Sequence, residues 1–319
     1  MRLFNFLAAT VLVALIPCGI TLALEAGEPR LLPDRPNFGV VTQVAYSCDG
    51  ESLCVGYEQG FVLSWDVKKN DQVGSGRHVN TVVTAMAAYP KAPIMVHASE
   101  LGIKFHLIGA HGKVPSFDAK HKATVQAIDF NLDGDRMASG DRDGETIVWD
   151  LWTGEPKHRL QPGNSAVESV RYFSDGNRLA IATEDGKLRI WDVKEEKVLR
   201  EIQAHDGPCL SVALSPDHKW IATCGKDKKI KLWGAEDGKA GPVLEGHEDC
   251  VNIVIFHPGG LPFLASASDD KTVRLWSLAE KKVVQKLEHD APVYGMSWRP
   301  DGGAIATGSG VETRIYDFK

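Results

Sequence analysis

One unit of three short strands recurs along this chain about every 40 residues. Its clearest copy is 246–276, GHEDCVNIVIFHPGGLPFLASASDDKTVRLW, in which turn residues separate two apolar runs and a third run ends on Trp276. Such runs with tight turns between them predict antiparallel strands. Because one three-strand unit cannot bury its own faces, the copies must pack against one another. The equivalent strand ends on an aromatic residue at seven places: Trp65, Phe105, Trp149, Trp191, Trp233, Trp276 and Tyr316.

In four of the seven copies an Asp follows the aromatic residue. These dipeptides are Trp65-Asp66, Trp149-Asp150, Trp191-Asp192 and Tyr316-Asp317. With this motif and period, the chain resembles the WD40-repeat family of β-propellers over nearly all of its length after about residue 30. The resemblance implies an all-β fold: a seven-bladed β-propeller of four-stranded antiparallel blades around a central channel.

The two ends of the repeat region are complementary. Residues 29–34, PRLLPD, align with the fourth strand of other repeats, whereas the last repeat stops at Lys319 after its third strand. We therefore expect an N-terminal strand to complete the last blade, which leaves no long sheet edge open. The expected domain is a single propeller over 29–319, although length alone would predict about two domains.

Residues 1–26 are apolar and differ from the repeats, since Arg2 is the one charged residue before Glu25. They predict a secretory signal peptide that ends near Ala23 or Ala26, and hence an exported protein: periplasmic, envelope-associated or secreted. A retained membrane anchor is the alternative, because 6–24 is long enough to span a bilayer, and Cys18 leaves a lipoprotein open. The chain has no Asn-X-Ser/Thr glycosylation sequon, which slightly favours a bacterial protein.

Three repeats carry a His, a Ser or Thr, an Asp and a Trp at matching positions. In the family, such residues form a hydrogen-bonded chain from Trp through Ser or Thr and His to Asp. The resemblance therefore implies structural tetrads in blades three, five and six. An enzyme would not carry three catalytic triads at the same position of three repeats, so we expect no catalytic residue among them. The sets are His121, Ser139, Asp143 and Trp149; His205, Thr223, Asp227 and Trp233; and His247, Ser266, Asp270 and Trp276.

The other blades lack part of this set. Blade four has Asn164 and Ser165 where the His is expected. Blades one, two and seven are expected to be held more by packing than by a polar chain. In the third strands, Arg189, Lys231 and Arg274 alternate with apolar residues and are expected to reach solvent.

Several classes of function find no support in the sequence. The formal net charge of −6 gives no basic excess, so no nucleic-acid partner is expected. No P-loop, G-x-G-x-x-G or G-x-S-x-G motif is present, so neither a cofactor nor an enzyme activity is predicted. No Cys/His cluster has zinc spacing, so no metal site is predicted. Free thiols are expected at the cysteines outside the N-terminal segment, which are Cys48, Cys54, Cys209, Cys224 and Cys250.

The leading hypothesis is therefore a non-catalytic, exported scaffold that binds one or more other proteins. One alternative is a propeller enzyme or small-ligand binder that uses the central funnel, although no convergent set of charged residues marks that funnel in the sequence. A second alternative is a membrane-anchored structural protein of the envelope, with membrane contact only if the N-terminal segment is retained. The loops between second and third strands supply the candidates for the partner face: Arg142, Glu184, Lys226, Lys228 and Asp269.

Overall fold

The computed structural model describes residues 24–33, 35–77, 81–100, 102–108, 120–161 and 163–318. The predicted signal peptide therefore lies almost wholly outside the described residues and stays a prediction. Among the residues that the structure describes, no helix has the length and apolar character needed to cross a bilayer.

Short β-branched and apolar runs alternate with tight turns, and the described chain is built almost entirely from strands. The turn between first and second strands needs a left-handed residue, which glycine provides at Gly134 (φ 69°) and Gly176 (φ 65°). One short 3-10 helix, Pro36–Phe38, precedes the first blade. The strands before and within blades one to three are β1 (Arg30–Leu31), β2 (Val41–Tyr46), β3 (Ser52–Tyr57), β4 (Phe61–Asp66), β5 (Asp71–Arg77), β6 (Ala85–Ala88), β7 (Ile94–Ser99), β8 (Gly102–Leu107), β9 (Val125–Phe130), β10 (Arg136–Asp141), β11 (Thr146–Asp150) and β12 (Pro156–Leu160).

Blades four to seven follow with the same order of strands. They contain β13 (Val167–Tyr172), β14 (Arg178–Thr183), β15 (Lys187–Asp192), β16 (Lys197–Gln203), β17 (Cys209–Leu214), β18 (Trp220–Gly225), β19 (Ile230–Gly234), β20 (Ala240–Leu244), β21 (Val251–Phe256), β22 (Phe263–Ser268), β23 (Thr272–Ser277), β24 (Lys282–Glu288), β25 (Val293–Trp298), β26 (Ala304–Ser309) and β27 (Glu312–Asp317).

These strands form seven antiparallel sheets, which confirms the seven-bladed propeller. Six sheets have four strands, and blade two has three, β6 to β8, in the described part of the chain. The ring closes as predicted, because β1 pairs with β27 in the order β1-β27-β26-β25. Arg30 lies opposite Ile315 in this pairing, and its Nε donates to Oδ2 of Asp317 at 2.9 Å.

The hydrophobic core lies between neighbouring blades. Small residues on the second strand let the first strand of the next blade approach closely. A Cβ on Gly308 of β26 would lie only 2.4 Å from Cγ1 of Val41 in β2, so this contact between the last and the first blade requires a glycine. The same clusters bury large side chains, such as Trp65 at 2% and Trp276 at 1% exposure. Since each cluster joins two blades, the ring should fold as one unit.

The first strands line a central channel, and a β-bulge in most of them directs an additional side chain into it. In six blades the pairing of first and second strands skips the second residue of the first strand, for example Glu168 between Val167 and Ser169. A bulged residue is unpaired and its side chain is redirected. The second and fifth residues of β9 and β13 are half-buried, as expected for residues that face an open channel.

Two sequence features outside the repeat pattern are also placed. All five described cysteines are free thiols, as expected; three are buried, whereas Cys48 and Cys250 are half-buried. Burial raises the pKa of Cys54 to about 12, so this thiol is unreactive. Trp152 is 84% exposed.

Candidate functional site

Blade five shows how a tetrad holds two loops together. Nε1 of Trp233 donates to Oγ1 of Thr223 at 2.9 Å, and that hydroxyl lies 2.8 Å from Nε2 of His205. Nδ1 of His205 lies 2.7 Å from Oδ1 of Asp227. Burial lowers the pKa of His205 despite the nearby carboxylate, which favours a neutral ring that accepts at Nε2 and donates at Nδ1.

Blade six repeats this geometry. Oγ of Ser266 lies 2.8 Å from Nε1 of Trp276 and 2.7 Å from Nε2 of His247. Nδ1 of His247 lies 2.7 Å from Asp270, whose pKa falls to about 2, because hydrogen bonds from Thr272 and its other neighbours outweigh the effect of burial. The structure thus joins all four residues predicted in each of these two blades.

In blade three one member of the predicted set is wrong. Nδ1 of His121 lies 2.8 Å from Oδ2 of Asp141, not of Asp143. Ser139 bridges Trp149 and His121 as predicted, at 2.8 and 2.7 Å. Asp141 is the last residue of β10 and is fully buried, whereas Asp143 is exposed. Asp143 was predicted because it lies at the same distance before its Trp as the aspartates of blades five and six do. The prediction is wrong here because another acidic residue stands two positions earlier, at the strand end.

Blade four replaces the missing His with Arg189, which the sequence analysis expected to reach solvent. That expectation is wrong, because the side chain of Arg189 is only 4% exposed. Its Nη1 donates to Oγ1 of Thr183 at 2.7 Å, and its Nη2 donates to Asp185 at 2.8 Å. Nε donates to Glu201 at 2.7 Å. The absence of a His in this repeat, together with an Arg on its third strand, was the signal available in the sequence.

The equivalent basic residues of the neighbouring blades are also largely shielded from solvent. Lys231 and Arg274 have side-chain exposures of 20% and 11%, and each pairs with the tetrad aspartate of its own blade. The ion pair from Lys231 to Asp227 measures 3.1 Å. These two side chains therefore reach solvent only in part.

Blade one relies more on packing, whereas blade seven keeps part of the polar chain. In blade one the rings of Phe38 and Phe61 stack at 4.0 Å between centroids, and Nε1 of Trp65 has no hydrogen-bond partner among the described residues. In blade seven Nε2 of His289 lies 2.8 Å from Oγ1 of Thr307.

The tetrads fix the loops at one end of the ring. Each joins the loop before a first strand to the loop between second and third strands of the same blade. Asp270 also accepts from the backbone N–H groups of Glu248 and Thr272, both at 3.0 Å. These loops are therefore held in one conformation before any partner arrives, which lowers the entropic cost of binding.

Four of the five predicted partner-face residues lie side by side on this end of the ring. Each is the first residue after a second strand, in one of four consecutive blades. Its backbone N–H donates to the backbone oxygen of the residue just before the first strand of the same blade, at 3.0 to 3.1 Å. They therefore border the channel entrance. We call Arg142, Glu184, Lys226 and Asp269 the mouth arc.

Lys228, the fifth predicted residue, lies further from the axis. Its Nζ donates to the backbone oxygen of Glu248 in the loop of the next blade at 2.8 Å. Glu58 and Glu100 follow the second strands of blades one and two and continue the mouth arc, although the sequence analysis did not select them.

The channel also contains a charged set that the sequence analysis missed. Glu168 and Arg171 of β13 line the cavity together with Asp129 of β9. Burial raises the pKa of Asp129, although Arg171 opposes the shift. Burial and then the neighbouring carboxylate of Glu184 raise the pKa of Glu168. The signal was the appearance of charged residues at the second and fifth positions of otherwise apolar first strands.

One cluster of metal-ligand residues is explained by the tetrads. His121, Asp141 and Glu145 lie close together. However, both ring nitrogens of His121 are engaged with Asp141 and Ser139, and Glu145 pairs with Arg159 at 2.9 Å. The donors are used within the protein, so this cluster does not fit a metal ion.

Comparison with protein families agrees with the fold. The model described as WD domain, G-beta repeat matches residues 113–150, 196–234, 238–277 and 281–311. The model described as Anaphase-promoting complex subunit 4 WD40 domain matches residues 159–214. Together the two models cover more than half of the chain. The chain belongs to the WD40 repeat family.

Similar proteins match this WD40 propeller over short segments. Nucleoporin Nup37 of Mus musculus is 44% identical over 59 residues, 18% of each chain. Protein transport protein sec13 of Aspergillus oryzae is 41% identical over 73 residues, 21% of this chain and 25% of the relative. Lissencephaly-1 homolog 1 of Paramecium tetraurelia is 52% identical over 46 residues, 14% of this chain and 11% of the relative. The chain thus spans a quarter or less of the length of each relative. All three are eukaryotic proteins, so they do not support the expected bacterial origin.

Proposed function

We propose that this WD40 propeller is a non-catalytic scaffold that holds another protein at the channel mouth. The mouth arc carries the proposal: Arg142, Glu184 and Lys226 are exposed and Asp269 is half-buried, and their loops are held by the tetrads or, in blade four, by the contacts of Arg189. Because both signs of charge are present and differ from blade to blade, the arc can select an orientation of the partner as well as bind it. The names of the three relatives include a nucleoporin and a protein transport protein, and none of them names an enzyme.

The proposed location rests on the sequence. The apolar segment 1–26 supports export to the periplasm, envelope or extracellular space, with the scaffold either released or held at a membrane by that segment. Ala26 pairs with Phe318, which follows β27 at the end of the ring opposite the mouth, so either arrangement is compatible with a partner at the mouth arc.

A capture experiment with charge-reversal variants tests the scaffold. The tagged protein is lightly cross-linked and purified from its own cells, as wild type and as the double variant Arg142→Glu/Lys226→Glu. We expect the double variant to recover about tenfold less of the partner that co-purifies with wild type, because it reverses both cationic residues of the arc.

The matched control is Lys157→Glu/Lys194→Glu, which makes the same change in net charge. Lys157 lies on the outer strand β12, and Lys194 lies in the exposed turn between β15 and β16, at the opposite end of β15 from the mouth. We expect this control to recover the partner as wild type does. Equal loss in both double variants, or recovery of the propeller alone from wild-type cells, would contradict the scaffold.

A further inference from the structure

The central channel has two unlike walls. Blades three and four contribute polar and charged residues, among them Gln126, Asp129, Glu168 and Arg171. Blades six and seven, across the ring, contribute mainly apolar side chains, which include Ile253, Ile255 and Met296. The cavity between the walls measures about 550 Å³, which lies within the range of natural ligand pockets. A group that fills it must be apolar on one side and polar on the other.

Glu168 is the charged residue of the polar wall that faces the mouth. It is half-buried, and no described residue donates a hydrogen bond or forms an ion pair with its carboxylate. The guanidinium of Arg142 is near enough to lower the pKa of Glu168, but it forms neither a hydrogen bond nor an ion pair with that carboxylate. With the amide of Gln126 oriented so that its oxygen faces Arg142, that oxygen accepts from Nε at 2.6 Å and from Nη2 at 3.3 Å.

The deeper part of the polar wall does not supply the missing cation. Oδ2 of Asp129 accepts from the backbone N–H of Tyr172 at 2.7 Å. Nη1 of Arg171 donates to the backbone oxygen of Val170 at 2.9 Å. Two carboxylates therefore share the wall with a single guanidinium.

The entrance has the same imbalance. Around the mouth, the acidic residues Glu58, Glu100, Glu184 and Asp269 outnumber Arg142 and Lys226. A cleft lined mostly by one sign of charge attracts the opposite charge. The carboxylate of Glu168 gains a charge-assisted hydrogen bond if a cation enters, and the cation in turn favours the ionised carboxylate.

We propose that the channel receives a lysine or arginine side chain of the protein partner at its mouth, with the cationic group at Glu168 and the aliphatic stem against the apolar wall at Ile253. This inference rests on the proposed scaffold function and names the chemistry of its partner. Long basic side chains fit both walls, because they combine an apolar stem with a charged end.

A peptide array tests the inference with a defined probe. Pools of peptides carry randomised flanks around a central Arg, Lys, norleucine or Glu, and the bound fluorescent propeller is measured. We expect the Arg and Lys pools to retain about tenfold more protein than the norleucine pool, and the Glu pool to retain least. The variant Glu168→Gln should bring the Arg and Lys pools down to the norleucine level. The control Glu195→Gln, an exposed acid in the turn between β15 and β16, should bind as wild type.

Equal retention by the norleucine pool, or unchanged binding by Glu168→Gln, would overturn the inference. The cellular capture separates this failure from failure of the scaffold. If Glu168→Gln recovers the native partner fully while Arg142→Glu/Lys226→Glu does not, the channel inference is wrong and the scaffold stands. If neither variant changes recovery, both are wrong.

Discussion

Replacing Asp141 with Ala lowers the free energy of unfolding by about 3 kcal/mol, whereas replacing Asp143 with Ala changes it by less than about 0.5 kcal/mol. Asp141 is fully buried and lies 2.8 Å from Nδ1 of His121. It also accepts from the backbone N–H groups of Asp143 and Glu145, at 3.1 and 2.9 Å. Its loss leaves Nδ1 of the buried His121 side chain without a partner, which costs more than the hydrogen bond itself contributes.

Equilibrium unfolding in urea measures both variants against wild type. Asp143→Ala is the matched control, because it removes the same carboxylate two residues away from an exposed site. It also removes the Asp that stands at the same distance before its Trp as Asp227 and Asp270 do in their repeats. If the two variants lose the same stability, or if Asp143→Ala loses more, the tetrad of blade three is assigned to the wrong residue.

Replacing Arg189 with Ala is expected to cost about 2 kcal/mol, because it removes a buried guanidinium together with its packing and its charge-assisted hydrogen bonds. Three of its nitrogens donate to Thr183, Asp185 and Glu201 at 2.7 to 2.8 Å. After the substitution, Thr183 and Asp185 lose this partner, whereas Glu201 keeps its ion pair with Lys187 at 2.6 Å. Burial opposes the charge of Arg189, but its hydrogen bonds to Asp185 and Glu201 raise its pKa, in agreement with a cluster that favours the charged form.

The control for Arg189 is Arg159→Ala in the neighbouring blade. Arg159 pairs with Glu145 at 2.9 Å, but its side chain is 49% exposed. Exposed pairs contribute little, so this variant should lose less than about 1 kcal/mol. Thermal and urea unfolding of both proteins compare the two losses. Equal losses would mean that Arg189 behaves as a surface residue and does not replace the His of the tetrad.

The sequence was sufficient to predict the propeller, since the evidence for it is local and repeated. Each blade needs short apolar runs, turn residues and a closing aromatic residue, and these recur along the chain. Ring closure followed from counting strands, and the pairing of Arg30 with Ile315 confirms it. The tetrads of blades five and six could be predicted in full, because Asp227 and Asp270 stand at the same offset from their Trp.

The remaining site could not be predicted, because it depends on the reach of side chains in three dimensions. Asp141 and Asp143 are equivalent in charge and differ only in position relative to the strand end. Arg189 substitutes for a His that comes from a different loop. The charged channel wall joins Asp129 and Glu168 from separate blades. Charged residues in otherwise apolar first strands mark it in the sequence, but the bulge that directs Glu168 inward appears only in the strand pairing.

Hydrogen–deuterium exchange on the captured complex tests the central claim, that the partner binds at the channel mouth. Backbone amides of the free and the bound propeller are compared segment by segment. We expect the partner to slow exchange in the mouth loops 142–145, 184–187 and 226–229. Exchange should stay unchanged in the outer strand β16 and in the turn 193–196. Protection confined to the outer strands or to the opposite end of the ring, with the mouth loops unaffected, would contradict the account.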